Sequence, residues 1–134
     1  MTDKELVEKA VKALENSYSP YSGFKVGAAL LTKDGRIFVG CNIENASYPA
    51  GICAERTALG NAVSAGAGEF LKIAIAGGKN GKITDYCPPC GICRQVLSEF
   101  CSEDFEILLY NGKSIKSHRL SELLPQNFGR KELC

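Results

Sequence analysis

Tryptophan is absent from the chain, and histidine and methionine occur once each. A single histidine, His118, rules out an HExxH zinc site, which needs two on one helix face. Ser-His or Cys-His catalysis would have to use His118, which lies in a weakly apolar stretch far from the cysteines. Charge of one sign is also missing. Lys and Arg number 16 and Asp and Glu 15, for a formal net charge of +1. That balance lacks the basic excess of a protein that grips phosphate backbones, so no nucleic-acid partner is expected. No apolar run approaches the roughly 18 residues of a membrane span. The N-terminal stretch is too charged for the apolar segment of a secretory signal. A soluble, cytoplasmic protein with no membrane partner is therefore expected. Gly81-Lys82 is followed by Ile83, and position 76 is Ala76, so the phosphate-binding P-loop pattern is missing. Finally, seven cysteines cannot all pair, which excludes a complete disulfide framework. In a reducing compartment, clustered cysteines bind metal or do chemistry.

The 134 residues, set against about 150 per domain, predict a single domain over residues 1–134. Thr2 with Glu5 reads as a capping box, and Leu6, Val7, Ala10, Val11 and Leu14 recur at helical spacing, which predicts a helix over 2–15. Residues 17–24 read as a loop whose aromatics suit packing or a ligand. Strands over 26–31 and from 37 to 40 flank an Asp34-Gly35 turn and form a hairpin. A helix follows over 54–64, then a buried strand over 70–76, with 77–82 as a loop. A third helix opens near Gly91 and runs to about 101. Strands over 105–110 and 114–118 and a short helix over 121–124, stopped by Pro125, complete the order. Strands alternating with helices imply a three-layer α/β/α sandwich around a mixed, five-stranded sheet.

The main chemical signal is Pro89-Cys90-Gly91-Ile92-Cys93 at the start of a helix. Pro suits that position, because the N–H it lacks would have no helical partner. Two cysteines at this spacing can reach one metal ion, act as a redox pair, or form half of a Cys₄ zinc site. Cys53-Ala54-Glu55 opens another helix. Two helix N-termini can thus aim three thiolates at one ion and stabilise them through their dipoles. Three protein ligands leave a tetrahedral position for water, the pattern of a catalytic zinc. A carboxylate two residues from a ligand can serve that water as general base and acid. Cys87 extends the run to CxxCxxC. An iron–sulfur run needs a further Cys at the position held by Leu97, so it fails. A closed Cys₄ site using Cys87 stays open. Cys41 and Cys101 read as small core residues and Cys134 as a mobile end.

These residues together resemble the cytidine deaminases, in the small homotetrameric form with a three-cysteine zinc site. The zinc-deaminase pattern pairs Cys or His, any residue and Glu with a later Pro-Cys-x-x-Cys. The resemblance also runs through PYSGFKVGAALLT, GCNIENASYPAGICAERTAL, PCGICRQVLSEF and ELLPQNFG, which spreads it over most of the chain. It implies one zinc per subunit on Cys53, Cys90 and Cys93, with Glu55 moving the proton. It implies that Asn42 and Glu44 hold ribose hydroxyls, Phe24 packs on the pyrimidine, and the Ala54 backbone meets the base. Ala46 and Tyr48 would approach from one neighbouring subunit and Phe128 from another. Arg56 would hydrogen-bond the thiolates. Physical reasoning supports part of this. Zn²⁺ with three thiolates carries a formal charge of −1, and a guanidinium with two helix N-termini offsets some of it. Asn42 and Glu44 are alternate residues at a strand end and so point the same way. Ile92 stands where many relatives have Ala, at a position expected to face away.

The implied reaction is hydrolytic deamination of cytidine and deoxycytidine to uridine and deoxyuridine, with release of ammonia, a step of pyrimidine salvage. A blasticidin-type or other aminopyrimidine deaminase, a nucleic-acid deaminase and a non-catalytic Cys₄ module are the alternatives.

Overall fold

Helix α1 (Asp3–Leu14) starts where Thr2 Oγ1 accepts the Glu5 N–H at 3.1 Å. Its apolar face, with Leu6, Val7, Ala10 and Leu14, is buried. Strands β1 (Phe24–Thr32) and β2 (Ile37–Cys41) form the hairpin. In this computed structural model, which describes residues 1–134, helix α2 (Ala54–Ser64) follows, then β3 (Phe70–Lys79), α3 (Gly91–Phe100), β4 (Glu106–Tyr110) and β5 (Ile115–Arg119). Short helices α4 (Leu120–Leu123) and α5 (Arg130–Leu133) end the chain. The expected order holds, with α5 and a 3₁₀ turn at Tyr48–Ala50 added.

The five strands lie in the order β2-β1-β3-β4-β5. Only β3 and β4 run parallel, with α3 in the connection between them; the other pairs are antiparallel. Alternate side chains divide between the two faces, as strand geometry requires. Ala29, Leu31, Ala74 and Leu108 pack with α1. Ala28, Leu30, Ile73, Ile75, Ile107 and Leu109 pack with Ala54, Ala58 and Leu59 of α2 and Leu97 of α3. This is the expected mixed sheet with helices on both sides.

Two glycines set how close the helices come. A Cβ on Gly27 would stand 2.0 Å from the Ala10 carbonyl oxygen, and one on Gly40 would stand 2.4 Å from the Ala58 nitrogen. Gly40 therefore lets the first turns of α2, which carry Glu55, lie against β2.

One expected boundary needs correction. Residues 77–79 belong to β3 rather than to a loop, because Phe24, Lys25 and Val26 on β1 pair with Lys79, Gly78 and Gly77. The turn is confined to residues from Asn80 onward, where Asn80 (φ 56) and Gly81 (φ 81) take left-handed backbone.

Candidate active site

Cys53 and Cys90 are the N-cap residues of α2 and α3, and neither makes a side-chain cap hydrogen bond. Helices ordinarily place Ser, Thr, Asp or Asn there to satisfy a free N–H. Both thiols instead meet Cys93, one turn into α3, and the three sulfur atoms lie within 4.8 Å of one another. The Cys53 and Cys90 sulfurs are 3.7 Å apart. Zn–S bonds of about 2.3 Å in a tetrahedron place sulfurs about 3.8 Å apart, so the cluster suits a zinc ion. Cys93 is fully buried. Cys53 is held well below the usual thiol range, first by a hydrogen bond with Cys93 and then by Cys90 and Arg56, against the effect of burial.

Cys87 is outside this group of three, so the closed four-cysteine site is not formed. Its sulfur lies against the Gly77 backbone. Burial, with the charges of Glu55 and Cys53 added, pushes the Cys87 thiol up to about 12. It is a neutral thiol on the cavity wall.

Glu55 is only 4% exposed. Burial raises its pKa to about 7, and the Cys53 charge adds to this, while its own backbone N–H and Cys93 act the other way. A carboxyl near 7 can both take and give a proton at neutral pH. Burial also acts to lower the pKa of the neighbouring Arg56, but hydrogen bonds and charge from Cys53 and Cys93 outweigh it and keep the guanidinium cationic. Arg56 Nε is buried with no hydrogen-bond partner. Beside the cluster, Arg94 Nε donates to the Pro89 carbonyl at 2.7 Å and Nη1 donates to the Leu123 carbonyl at 2.8 Å. Arg94 thus fixes the loop that carries Cys90. Its place directly after Cys93 was visible in the sequence, but its two carbonyl partners were not.

These groups open onto a cavity of about 650 Å³. Asn42, Glu44, Tyr48 and Ala54 line it together with Cys53, Glu55, Arg56 and Cys90. Tyr18 and Ile52 clamp the segment that carries Asn42 and Glu44 through backbone hydrogen bonds of 2.8–3.1 Å. Asn42 Nδ2 donates to the Phe24 carbonyl at 2.8 Å, and its Oδ1 accepts from Val26 N at 2.9 Å and from the Ser17 hydroxyl. Glu44 Oε1 accepts the Tyr21 and Ser22 N–H groups at 3.0 and 3.1 Å, and Oε2 accepts the Ser22 hydroxyl. The Ser22 bonds hold Glu44 below the usual carboxylate range. Ser22 drew no attention in the sequence, where the aromatics of its loop stood out.

Other expected residues lie apart. Phe24, Ala46 and Phe128 are not in the lining of this chain's own cavity. Phe128 is 59% exposed, and its carbonyl accepts from Gln95 Nε2 at 2.8 Å. His118 sits on β5 opposite Ile107, away from the cysteines. Ile92 corrects an expectation: it lines the cavity instead of facing away, between the ligand positions Cys90 and Cys93 on the first turn of α3.

No helix is long and apolar enough to cross a membrane. Residues 1–109 match the family described as the cytidine and deoxycytidylate deaminase zinc-binding region. A cytidine deaminase of Sporosarcina psychrophila is 43% identical over 134 residues, 99% of this chain and 96% of the relative. A solved cytidine deaminase from Burkholderia pseudomallei superposes with a TM-score of 0.88 at 46% identity, covering 96% of this chain and 100% of that one. A blasticidin-S deaminase of Bacillus cereus is 33% identical, covering 96% of this chain and 93% of the relative. The match spans both helix starts that carry the cysteines, and the fold, the three sulfurs and the buried carboxylate agree with it: the chain belongs to the cytidine and deoxycytidylate deaminase zinc-binding family.

Proposed function

We propose that the protein hydrolyses the amino group from cytidine and deoxycytidine, forming uridine and deoxyuridine and releasing ammonia, as a step of pyrimidine salvage. One observation carries the reading. A buried carboxyl with a pKa near 7 stands beside a three-thiolate cluster, in a cavity that also holds an amide and a carboxylate. Cys53, Cys90 and Cys93 would hold the zinc. When bound, the zinc supplies the Lewis acidity that lets a water lose its proton near neutral pH. Glu55 takes that proton and passes it to N3 of the ring, which makes C4 electrophilic. The hydroxide oxygen left from that water then bonds to C4, and Glu55 carries its remaining proton to the amino group, so that the C4–N bond breaks, ammonia leaves and C4 becomes a carbonyl while N3 keeps the first proton. Arg56 offsets the charge of the thiolates. Asn42 and Glu44 hold the sugar, Phe24 packs on the pyrimidine, and the Ala54 backbone meets the base.

The same reading makes the active form a homotetramer with shared sites, in which Ala46 and Tyr48 of one neighbour and Phe128 of another complete the pocket. The exposure of Tyr48 (77%) and Phe128 (59%) supports it. Seven free thiols suit a reducing cytoplasm.

The deciding experiment follows the near-ultraviolet absorbance of cytidine with the purified protein, with Glu55→Ala alongside. Loss of the cytidine band with wild type alone is expected. Its persistence in a zinc-loaded wild type would overturn the reading. The similarity to a blasticidin-S deaminase makes that antibiotic the second substrate to try. Asn42 and Glu44, held as sugar ligands would need to be, favour the nucleoside.

A further inference from the structure

A carboxylate offers about four acceptor sites, and an amide two acceptor sites and two N–H donors. Three of the Glu44 sites are filled: two on Oε1 by the Tyr21 and Ser22 N–H groups, and one on Oε2 by the Ser22 hydroxyl. On Asn42, Oδ1 is filled by Val26 N and the Ser17 hydroxyl, and one N–H goes to the Phe24 carbonyl. The pair retains one acceptor and one donor, and both residues line the cavity. Ser22 sits at the junction. Its Oγ donates to Glu44 and accepts the Phe24 N–H at 2.9 Å, which links the residue expected at the sugar to the one expected at the base.

The loop around Ser22 is held independently of its hydroxyl. Lys79 Nζ donates to the Ser22 carbonyl at 2.6 Å, Asn80 N to the Gly23 carbonyl at 2.6 Å, and Gly23 N to the Ser19 carbonyl at 2.9 Å. The extension of β3 to Lys79 is what brings these donors to the loop. Removing the hydroxyl therefore leaves the loop closed and frees only Glu44 Oε2 and the Phe24 N–H, while the Tyr21 and Ser22 N–H groups keep Oε1 but no longer fix the turn of the carboxylate about it.

We propose that Ser22 is a positioning residue, whose hydroxyl turns the Glu44 carboxylate so that its last acceptor site meets one sugar hydroxyl. It acts through Glu44 and does not touch the reacting ring. The proposal rests on the reading that Glu44 holds the sugar, and the test separates the two.

The test measures kcat/KM for cytidine and for 2′,3′-dideoxycytidine with the zinc-loaded wild type, Ser22→Ala, Ser22→Thr and Glu44→Gln. The ratio of the two values is the preference for a hydroxylated sugar. Ser22→Ala is expected to lower this ratio about tenfold, the scale of one oriented hydrogen bond to a charged group. The fall should come from a raised KM for cytidine, with kcat within about twofold of wild type. Ser22→Thr keeps a hydroxyl and should restore the ratio, and Glu44→Gln should lower it at least as far as Ser22→Ala. A wild-type ratio in Ser22→Ala beside a collapsed ratio in Glu44→Gln would overturn the positioning role and leave the sugar reading standing. An unchanged ratio in Glu44→Gln would overturn both. An equal loss of kcat on both nucleosides in Ser22→Ala would mark the residue as structural and also overturn the proposal.

Discussion

The two faces of the sheet obey the same packing rules and hold different contents. On one face lies α1, capped by Thr2, with an apolar stripe closed over Ala29, Leu31, Ala74 and Leu108. On the other lie α2 and α3, whose cap positions are cysteines without cap hydrogen bonds, followed by a buried carboxylate and a buried guanidinium nitrogen without a hydrogen-bond partner. A missing cap costs about 1 kcal/mol, and a buried ionisable group costs more unless it is paired. The first face keeps local preferences satisfied. The second sets several of them aside around one cavity, and a metal on the three thiolates would restore what the caps lack. Departures from local preference thus cluster where the chemistry is.

That contrast predicts different outcomes for similar perturbations. Glu55→Gln, on the second face, should lower kcat about 10²- to 10⁴-fold while zinc content, measured by metal analysis, stays at wild-type level. Removing zinc with a chelator should abolish turnover and also lower the thermal midpoint. The stability lost would be about 4 kcal/mol if free metal normally stands 1,000-fold above its dissociation constant. Leu6→Ala, on the first face, should cost about 2–5 kcal/mol in denaturant unfolding and leave kcat of the folded enzyme unchanged. A parallel loss of kcat in Leu6→Ala would break the division between the faces.

The smallest effect concerns Lys72, which joins Asp3 of α1 at 2.9 Å and Glu106 of β4 at 3.0 Å. The hydrogen bond to Asp3, followed by that to Glu106, raises its pKa above the ordinary 10.5 against the effect of burial. A base whose folded pKa is raised adds stability that is complete below the unfolded value and lost as pH climbs through the folded one. Lys72→Met should therefore cost less than about 1 kcal/mol, unchanged between pH 7 and 9, with the difference from wild type shrinking above about 10.5. Unfolding curves across that pH range check it.

Much of the site was legible because its pieces are local. Pro89 and the cysteines mark helix starts, and α2 begins at the expected Ala54. Gly77-Gly78 misled because two glycines look like a turn, whereas pairing with Lys25 and Val26 makes them strand. Ile92 misled because the spacing of a CxxC turn does not say which side of it the cavity lies on. Ser22 was invisible, since its meaning depends on a carboxylate 22 residues away.

By itself, the sequence determined the element order and the cysteines at the two helix starts, because helix starts, turns and alternation depend on neighbours along the chain. Tertiary structure alone decided which thiols meet. Cys53 and Cys90 are 37 residues apart and come together because α2 and α3 bury their apolar sides on one face of the sheet, while Cys87, nearer to Cys90 in sequence, is left outside. Contacts across such distances follow from the shared burial of a whole layer, a property that no short stretch of the chain carries.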